Sequence, residues 1–104
     1  MSTLASVSTP ALKVRSGPHG GNLYEVRRAL RLGRHPYNEV SLNDPHTSRY
    51  HCWVTTNDSG FVIEDLASTN GTFVNGVRIR TRQILKPGDV IRVGITEFVF
   101  TEQE

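Results

Sequence analysis

Apolar residues along this chain fall in short packets separated by turn-forming clusters. The breaks come at Gly17-Pro18, Gly20-Gly21, Asn43-Asp44-Pro45, Asn57-Asp58-Ser59-Gly60, Asn70-Gly71, Asn75-Gly76 and Pro87-Gly88-Asp89. Gly supplies positive φ, Pro pre-sets the first turn position, and Asn and Asp bond their own backbone. Between the breaks lie segments rich in Val, Ile, Thr and aromatics, at residues 12–15, 51–56, 61–66, 72–74, 77–79, 90–93 and 97–101. Short strands at this spacing predict an all-β sandwich or barrel. Ile91, Val93 and Ile95 alternate with Arg92 and Gly94, the pattern of a half-buried strand. Asn75-Gly76, flanked by Thr72-Phe73-Val74 and Val77-Arg78-Ile79, predicts a tight hairpin.

One stretch fits two readings. Residues 22–32 hold no Gly or Pro, and Leu23, Val26 and Leu30 fall at helical spacing. Asn22 with Glu25 three positions on even resembles a capping box, although that motif prefers Ser or Thr first. The all-β surroundings favour two strands instead, at 23–27 and 30–33. The Ser- and Thr-rich start, residues 1–9, is expected to be a flexible leader. The domain body is then 10–101, and 102–104 form a short tail.

Composition narrows the class. A chain of 104 residues with 37% hydrophobic and 21% charged residues suits one globular domain. No apolar run approaches the roughly 20 residues of a spanning helix. The first residues lack the basic start and apolar centre of a signal peptide, so a cytoplasmic location and no membrane partner are expected. The lone Cys52 rules out an internal disulfide and makes a Cys-based zinc cluster poor chemistry, so no metal or cofactor is expected.

The formal charge of +2 is small, but of the twelve cations only Lys13 and Lys86 are lysine. Arg presents a planar fork of donors matched to phosphate and carboxylate. In a sandwich, function belongs in the loops at one end. Three loop segments carry groups suited to one kind of ligand. At Gly33-Arg34 the absent side chain permits close backbone approach, and Arg34 can make two parallel bonds to a phosphate. At Thr47-Ser48-Arg49 a hydroxyl and a second guanidinium follow one another. In Ser68-Thr69-Asn70-Gly71-Thr72 an Asn can hold a ligand's main chain with paired donor and acceptor bonds. Taken singly, each is ordinary: a surface cation, a turn serine, a tight Asn-Gly turn. Their joint order is not.

Together these residues resemble the forkhead-associated (FHA) family. Leu32-Gly33-Arg34, Asn38-Glu39-Val40-Ser41-Leu42, Asp44-Pro45 and Ser48-Arg49-Tyr50-His51 look like its first signature block. The run from Glu64 to Gly76 looks like its second, and that from Leu85 to Gly94 its closing block. The likeness covers about residues 12–100. It implies a two-sheet antiparallel β-sandwich that recognises phosphothreonine in an extended segment of a partner, a product of a Ser/Thr kinase. Carried over by position, Arg34, Ser48 and Arg49 would bind phosphate. Thr69 and Asn70 would face the peptide, and His46 would choose the residue three places after the phosphothreonine, making that choice sensitive to pH. Gly33, His51, Gly71, Asn75 and Gly76 would support the site. Thr47 departs from the family, which more often has an apolar residue there.

Rival readings are weaker. A hydrolase would need Ser48, His51 and Asp44 or Asp65 as a triad, but on a strand Ser48 and His51, three apart, would face opposite ways. There is also no Gly-x-Ser-x-Gly elbow. No enzyme is expected. Arg78, Arg80 and Arg82 can share a strand face and suggest a nucleic-acid strip. With few aromatics and little net charge, a solvated face is preferred, and no nucleic-acid partner is expected. An FHA fold that binds a protein independently of phosphorylation is the remaining alternative. The isolated domain is expected to be monomeric.

Overall fold

The computed structural model describes residues 9–103, so the expected leader lies outside the described residues except for Thr9. Eleven strands follow one another: β1 (Thr9–Ser16), β2 (Leu23–Glu25), β3 (Ala29–Gly33), β4 (Val40–Ser41), β5 (Cys52–Asn57), β6 (Gly60–Asp65), β7 (Thr72–Val74), β8 (Val77–Arg78), β9 (Arg82–Ile84), β10 (Val90–Val93) and β11 (Thr96–Gln103). One sheet has the order β2-β1-β11-β10-β7-β8 and the other β4-β3-β5-β6-β9. Every pairing is antiparallel except β3 with β4. The expected sandwich is what the chain forms.

Period-two patterning builds it. In β1, Leu12 and Val14 are buried while Lys13 and Arg15 face water; in β10, Ile91 and Val93 are buried and Arg92 is not. Phe98 and Phe100 of β11 point inward between them, and Leu30, Leu32, Val54 and Ile63 face them from the second sheet. Each such side chain contributes about 1.5–3 kcal/mol when fully removed from water. The core therefore fixes which face of the strands that line it turns inward.

Several boundaries and two elements differ from the sequence expectation. Residues 22–32 are strands, but β2 ends at Glu25 and β3 opens at Ala29. The helical trio was coincidental, since Val26 is 3% exposed and Leu23 is 45% exposed. Ile95 does not continue β10. It is exposed in the turn before β11, where Gly94 has φ 59°. Strands β4 and β9 were not anticipated. One is only two residues long, and all three side chains of the other are exposed, so neither carries a period. Pairing of Thr9 with Gln103 extends the outer sheet past both expected domain bounds. The supposed basic strip is also dispersed: Arg78 lies in β8 and Arg82 in β9, on different sheets.

The parallel β3–β4 pair positions the functional end. A parallel neighbour requires the chain to double back. Residues 34–39 do so beyond the end of β3, beside the β4–β5 connection (42–51) and the β6–β7 connection (66–71).

Candidate functional site

Asp-x-x-Ser/Thr corners shape two of these three loops. In the β4–β5 loop the Asp44 carboxylate accepts from the His46 N–H (2.8 Å), the Thr47 hydroxyl (2.9 Å) and the Ile95 N–H (2.9 Å). In the β6–β7 loop Asp65 accepts from the Ser68 N–H (3.1 Å) and hydroxyl (2.6 Å) and from the Thr72 hydroxyl (2.7 Å). Ser68 Oγ in turn accepts from the Gly71 N–H at 3.0 Å. Side chains with such reach replace the ladder bonds that loop backbone lacks. Burial works to raise the Asp44 pKa, yet the His46 and Ile95 amides and the Thr47 hydroxyl outweigh it, and the carboxyl sits below its ordinary 3.8. The family departure at Thr47 thus has a local role, because its hydroxyl is one of the three donors on Asp44.

Asn38 and Gly33 hold the third loop. The Asn38 amide donates to the carbonyls of His35 (2.9 Å) and Arg49 (2.8 Å). Gly33 admits the Arg49 backbone so closely that a Cβ there would overlap the Arg49 carbonyl and the Asn38 amide. Glu39 closes the loop against β3 by a forked pair with Arg31, Nε to Oε1 at 3.1 Å and Nη2 to Oε2 at 2.7 Å. The Arg31 guanidinium bonds bring the Glu39 carboxyl down to about 2.

His51 ties the loops together. It is fully buried. Its Nδ1 accepts from the Ser48 N–H (3.1 Å) and its Nε2 lies 2.8 Å from the Gly71 carbonyl. Because Nδ1 accepts, Nε2 carries the proton and donates to that carbonyl. Burial pushes the pKa below its ordinary 6.5, against the opposing pull of the Gly71 carbonyl and of Asp65 and Asp44. The ring therefore holds one loop by an acceptor and the other by a donor, and only as neutral imidazole. Neither Ser48 nor His51 lies on a strand, since β5 opens at Cys52, so alternation is not what separates them. The obstacle to a triad is different: both ring nitrogens are committed to backbone groups.

These ties assemble an open cleft of about 330 Å³. Arg34, Ser48, Arg49, His46, Thr69 and Asn70, all the residues expected to touch a ligand, line it together with Pro45 and Thr47. Arg34 is anchored by its N–H to the Ser48 carbonyl (2.9 Å) and by Nε to the Thr47 carbonyl (3.1 Å). Its two terminal nitrogens make no bond among the described residues. Arg49 is likewise without an ion pair among them. Ser48 Oγ accepts from the Thr69 N–H at 3.0 Å, leaving its own proton to donate. Asn70 Nδ2 donates to the His46 carbonyl at 2.9 Å, which leaves one N–H and the amide oxygen for a ligand. A cationic wall thus faces a wall of hydroxyl and amide.

Two expected supports lie elsewhere. Asn75 (φ 52°) and Gly76 (φ 83°) close the β7–β8 hairpin at its end away from the cleft. Asn75 is held there by Asp89 Oδ1 (3.0 Å) and the Val90 N–H (2.9 Å). Asp44, Asn38 and Asp65 were overlooked as supports. The repeated Asp-x-x-Ser/Thr spacing, at 44–47 and 65–68, was the available signal for the two aspartates.

Known proteins resemble this chain. The FHA domain family profile matches residues 30–94. The Corynebacterium diphtheriae protein called oxoglutarate dehydrogenase inhibitor is 34% identical over 94% of this chain and 71% of its own length. Of the Corynebacterium efficiens protein of the same name, 36% identical, the chain spans 63%. Among solved structures, Mycobacterium tuberculosis EmbR in complex with a low-affinity phosphopeptide superposes with a TM-score of 0.85 at 31% identity, over 93% of this chain and 25% of EmbR. A domain from a study of phosphothreonine-dependent FHA interactions gives 0.82 at 30% identity, over 92% and 98%. With its profile matched over residues 30–94, the chain belongs to the FHA domain family.

Proposed function

We propose that this chain reads phosphorylation by binding phosphothreonine in an extended segment of a partner protein. The observation that carries the reading is the cleft, where the unpaired ends of Arg34 and Arg49 meet the Ser48 hydroxyl beside Thr69 and Asn70. A phosphothreonine brings a charge of about −1.5 to −2 and three acceptor oxygens. Arg34 takes two of them through its terminal nitrogens, Ser48 donates its hydroxyl, and Arg49 balances the remaining charge. Thr69 faces the ligand, and the free donor and acceptor of Asn70 pair with its main chain. His46, at the cleft's rim, contacts the residue three places further on.

Bonds to charged groups contribute roughly 1.5–3 kcal/mol each, so three of them approach the about 8 kcal/mol of a micromolar complex. An unphosphorylated threonine forfeits nearly all of that. The domain is a reader rather than a catalyst: His51, the imidazole bonded to the Ser48 N–H, is committed to backbone on both nitrogens. A cytoplasmic setting, where Ser/Thr kinases act on partner proteins, fits this role. Among the described residues no helix is long and apolar enough to cross a membrane.

Titration calorimetry with a phosphothreonine peptide, its threonine counterpart and the variant Arg34→Ala tests the reading. Wild type is expected to bind only the phosphopeptide. Arg34→Ala is expected to lose at least about 150-fold in affinity, the loss of two charged bonds. Equal affinity for the two peptides refutes the function. Unchanged binding by Arg34→Ala refutes the site.

A further inference from the structure

A second group of arginines stands on the far side of the Thr69–Asn70–Gly71 loop. Strand β8 leads Arg78 back beside Gly71, whose φ is 92°. A Cβ on Gly71 would collide with the Arg78 Nε and lie 2.9 Å from its Cδ and Cζ, so the Arg78 side chain packs directly on Gly71. Arg78 and Arg80 are exposed, make no ion pair among the described residues, and line an open cleft of about 370 Å³ with Asp65 and Ile79. The Asp65 carboxylate makes no ion pair with either, its oxygens accepting from Ser68 and Thr72, and its single charge leaves the pair with an excess of about one positive charge. Two guanidinium groups therefore share a solvent-open pocket with one already satisfied carboxylate.

One loop separates this pocket from the phosphate cleft. Thr69 and Asn70 face the cleft, while Gly71 is covered by Arg78. Adding a Cα–Cα step of 3.8 Å and one Cα–Cβ bond to the 2.9 Å above puts the Arg78 guanidinium within roughly 8 Å of the Asn70 Cα. An extended peptide advances about 3.3–3.6 Å per residue, so that span is two to three residues. A ligand gripped at its main chain by Asn70 thus reaches Arg78 with a nearby side chain.

Resting on the phosphothreonine reading, we propose that Arg78, assisted by Arg80, is an accessory anion subsite. It favours ligands with a second negative side chain, acidic or phosphorylated, two to four residues from the phosphothreonine. Guanidinium pairs with either carboxylate or phosphate, and more strongly with the doubly charged phosphate.

The test uses the full chain and a phosphothreonine peptide in an Ala/Gly background, with a single Glu moved through positions −4 to +4 and phosphoserine placed at the best position. Fluorescence anisotropy on wild type is expected to show a gain of roughly two- to fivefold at one position two to four residues away, the scale of one exposed ion pair. Phosphoserine there is expected to exceed Glu. Arg78→Gln should abolish the gain and leave the plain phosphothreonine peptide within about twofold of wild type, Arg80→Gln should reduce it, and Arg78→Lys should restore part of it. Thermal unfolding of each variant separates a lost subsite from a lost fold; should Arg78→Gln not fold, Arg80→Gln and Arg78→Lys decide. No gain at any position, or a gain unchanged in these variants, overturns the subsite while leaving phosphothreonine binding standing. Failure of the plain phosphopeptide to bind wild type overturns both.

Discussion

Replacing His51 with Phe isolates what the buried imidazole does. A phenyl ring leaves no cavity, but it is larger than imidazole by about one methylene group, so slight overpacking adds to the loss of both bonds. The Ser48 N–H and the Gly71 carbonyl, 3.1 and 2.8 Å from the ring nitrogens, are then left without their partner. A buried polar group stripped of its bond costs about 1–3 kcal/mol, so His51→Phe is expected to destabilise by about 2–6 kcal/mol. Against a total of about 5–15 kcal/mol that is a large share. In a domain of this size it lowers Tm by about 4–8 °C per kcal/mol.

The same ring sets a pH dependence of definite sign. Its folded pKa lies below 6.5, so between the two values the unfolded chain binds more protons than the folded one. The stability that neutral His51 contributes is complete above about pH 6.5 and is lost as pH falls from there through the folded value. The diagnostic quantity is the difference between wild type and His51→Phe. Urea unfolding at intervals from pH 7.5 to 5 is expected to show wild type losing its advantage as the pH drops, with the slope m unchanged. A variant within 1 kcal/mol of wild type at pH 7.5, or a stability difference that does not change with pH, would refute the idea that the imidazole bridges the loops energetically.

Two further outcomes probe the supports beneath the cleft. Asp44→Asn sets an amide donor against N–H groups that now find a carboxylate, and should cost about 1–3 kcal/mol by urea unfolding at pH 7. Because Asp44 titrates below its ordinary 3.8, its contribution is present above that value and lost as pH falls through the lower folded one, so the variant should show a smaller acid-induced loss than wild type. Cys52, fully buried with its thiol pushed up to about 12 by desolvation, should resist a maleimide reagent in the folded protein and react on unfolding; fast labelling of the native state by mass spectrometry would contradict that burial.

How far these features could be read from residues alone follows from their physics. Alternation over β1, β5, β10 and β11 declared itself because a sandwich strand buries one face, and Leu12, Val14, Val54, Ile91, Phe98 and Phe100 report that directly. β4 and β9 stayed hidden because two or three residues cannot show a period, and backbone pairing needs no particular side chain. Arg34, Ser48 and Asn70 were found because their chemistry is exceptional when combined. Asp44 and Asp65 were not, because an aspartate before a turn is common, and of their partners only the Ile95 N–H is remote, so nothing beyond the Asp-x-x-Ser/Thr spacing sets them apart from ordinary turn residues. The reach of Arg78 to Gly71 was not legible, for it depends on a side chain extending past its strand partner Phe73 to a residue outside the β7–β8 pairing.

The hidden supports also explain why the legible residues work as a set. Arg34, Ser48, Thr69 and Asn70 come from three loops, and each is held by a bond formed before any ligand arrives: Arg34 to the Thr47 carbonyl, Thr69 to Ser48, Asn70 to the His46 carbonyl. The Asp44 and Asp65 corners set the loops' shapes, and neutral His51 sets their separation. The ordering that a ligand would otherwise have to impose, about 0.5–1.5 kcal/mol for each flexible side chain, is thereby largely met during folding. What remains unheld among the described residues is the pair of terminal nitrogens on Arg34 and the guanidinium of Arg49, the groups a phosphate would engage. Rigidity in the frame with freedom at the contact atoms lets a small, strongly solvated anion be captured by few bonds. It also makes loop geometry, more than net charge, the property whose loss should most reduce binding.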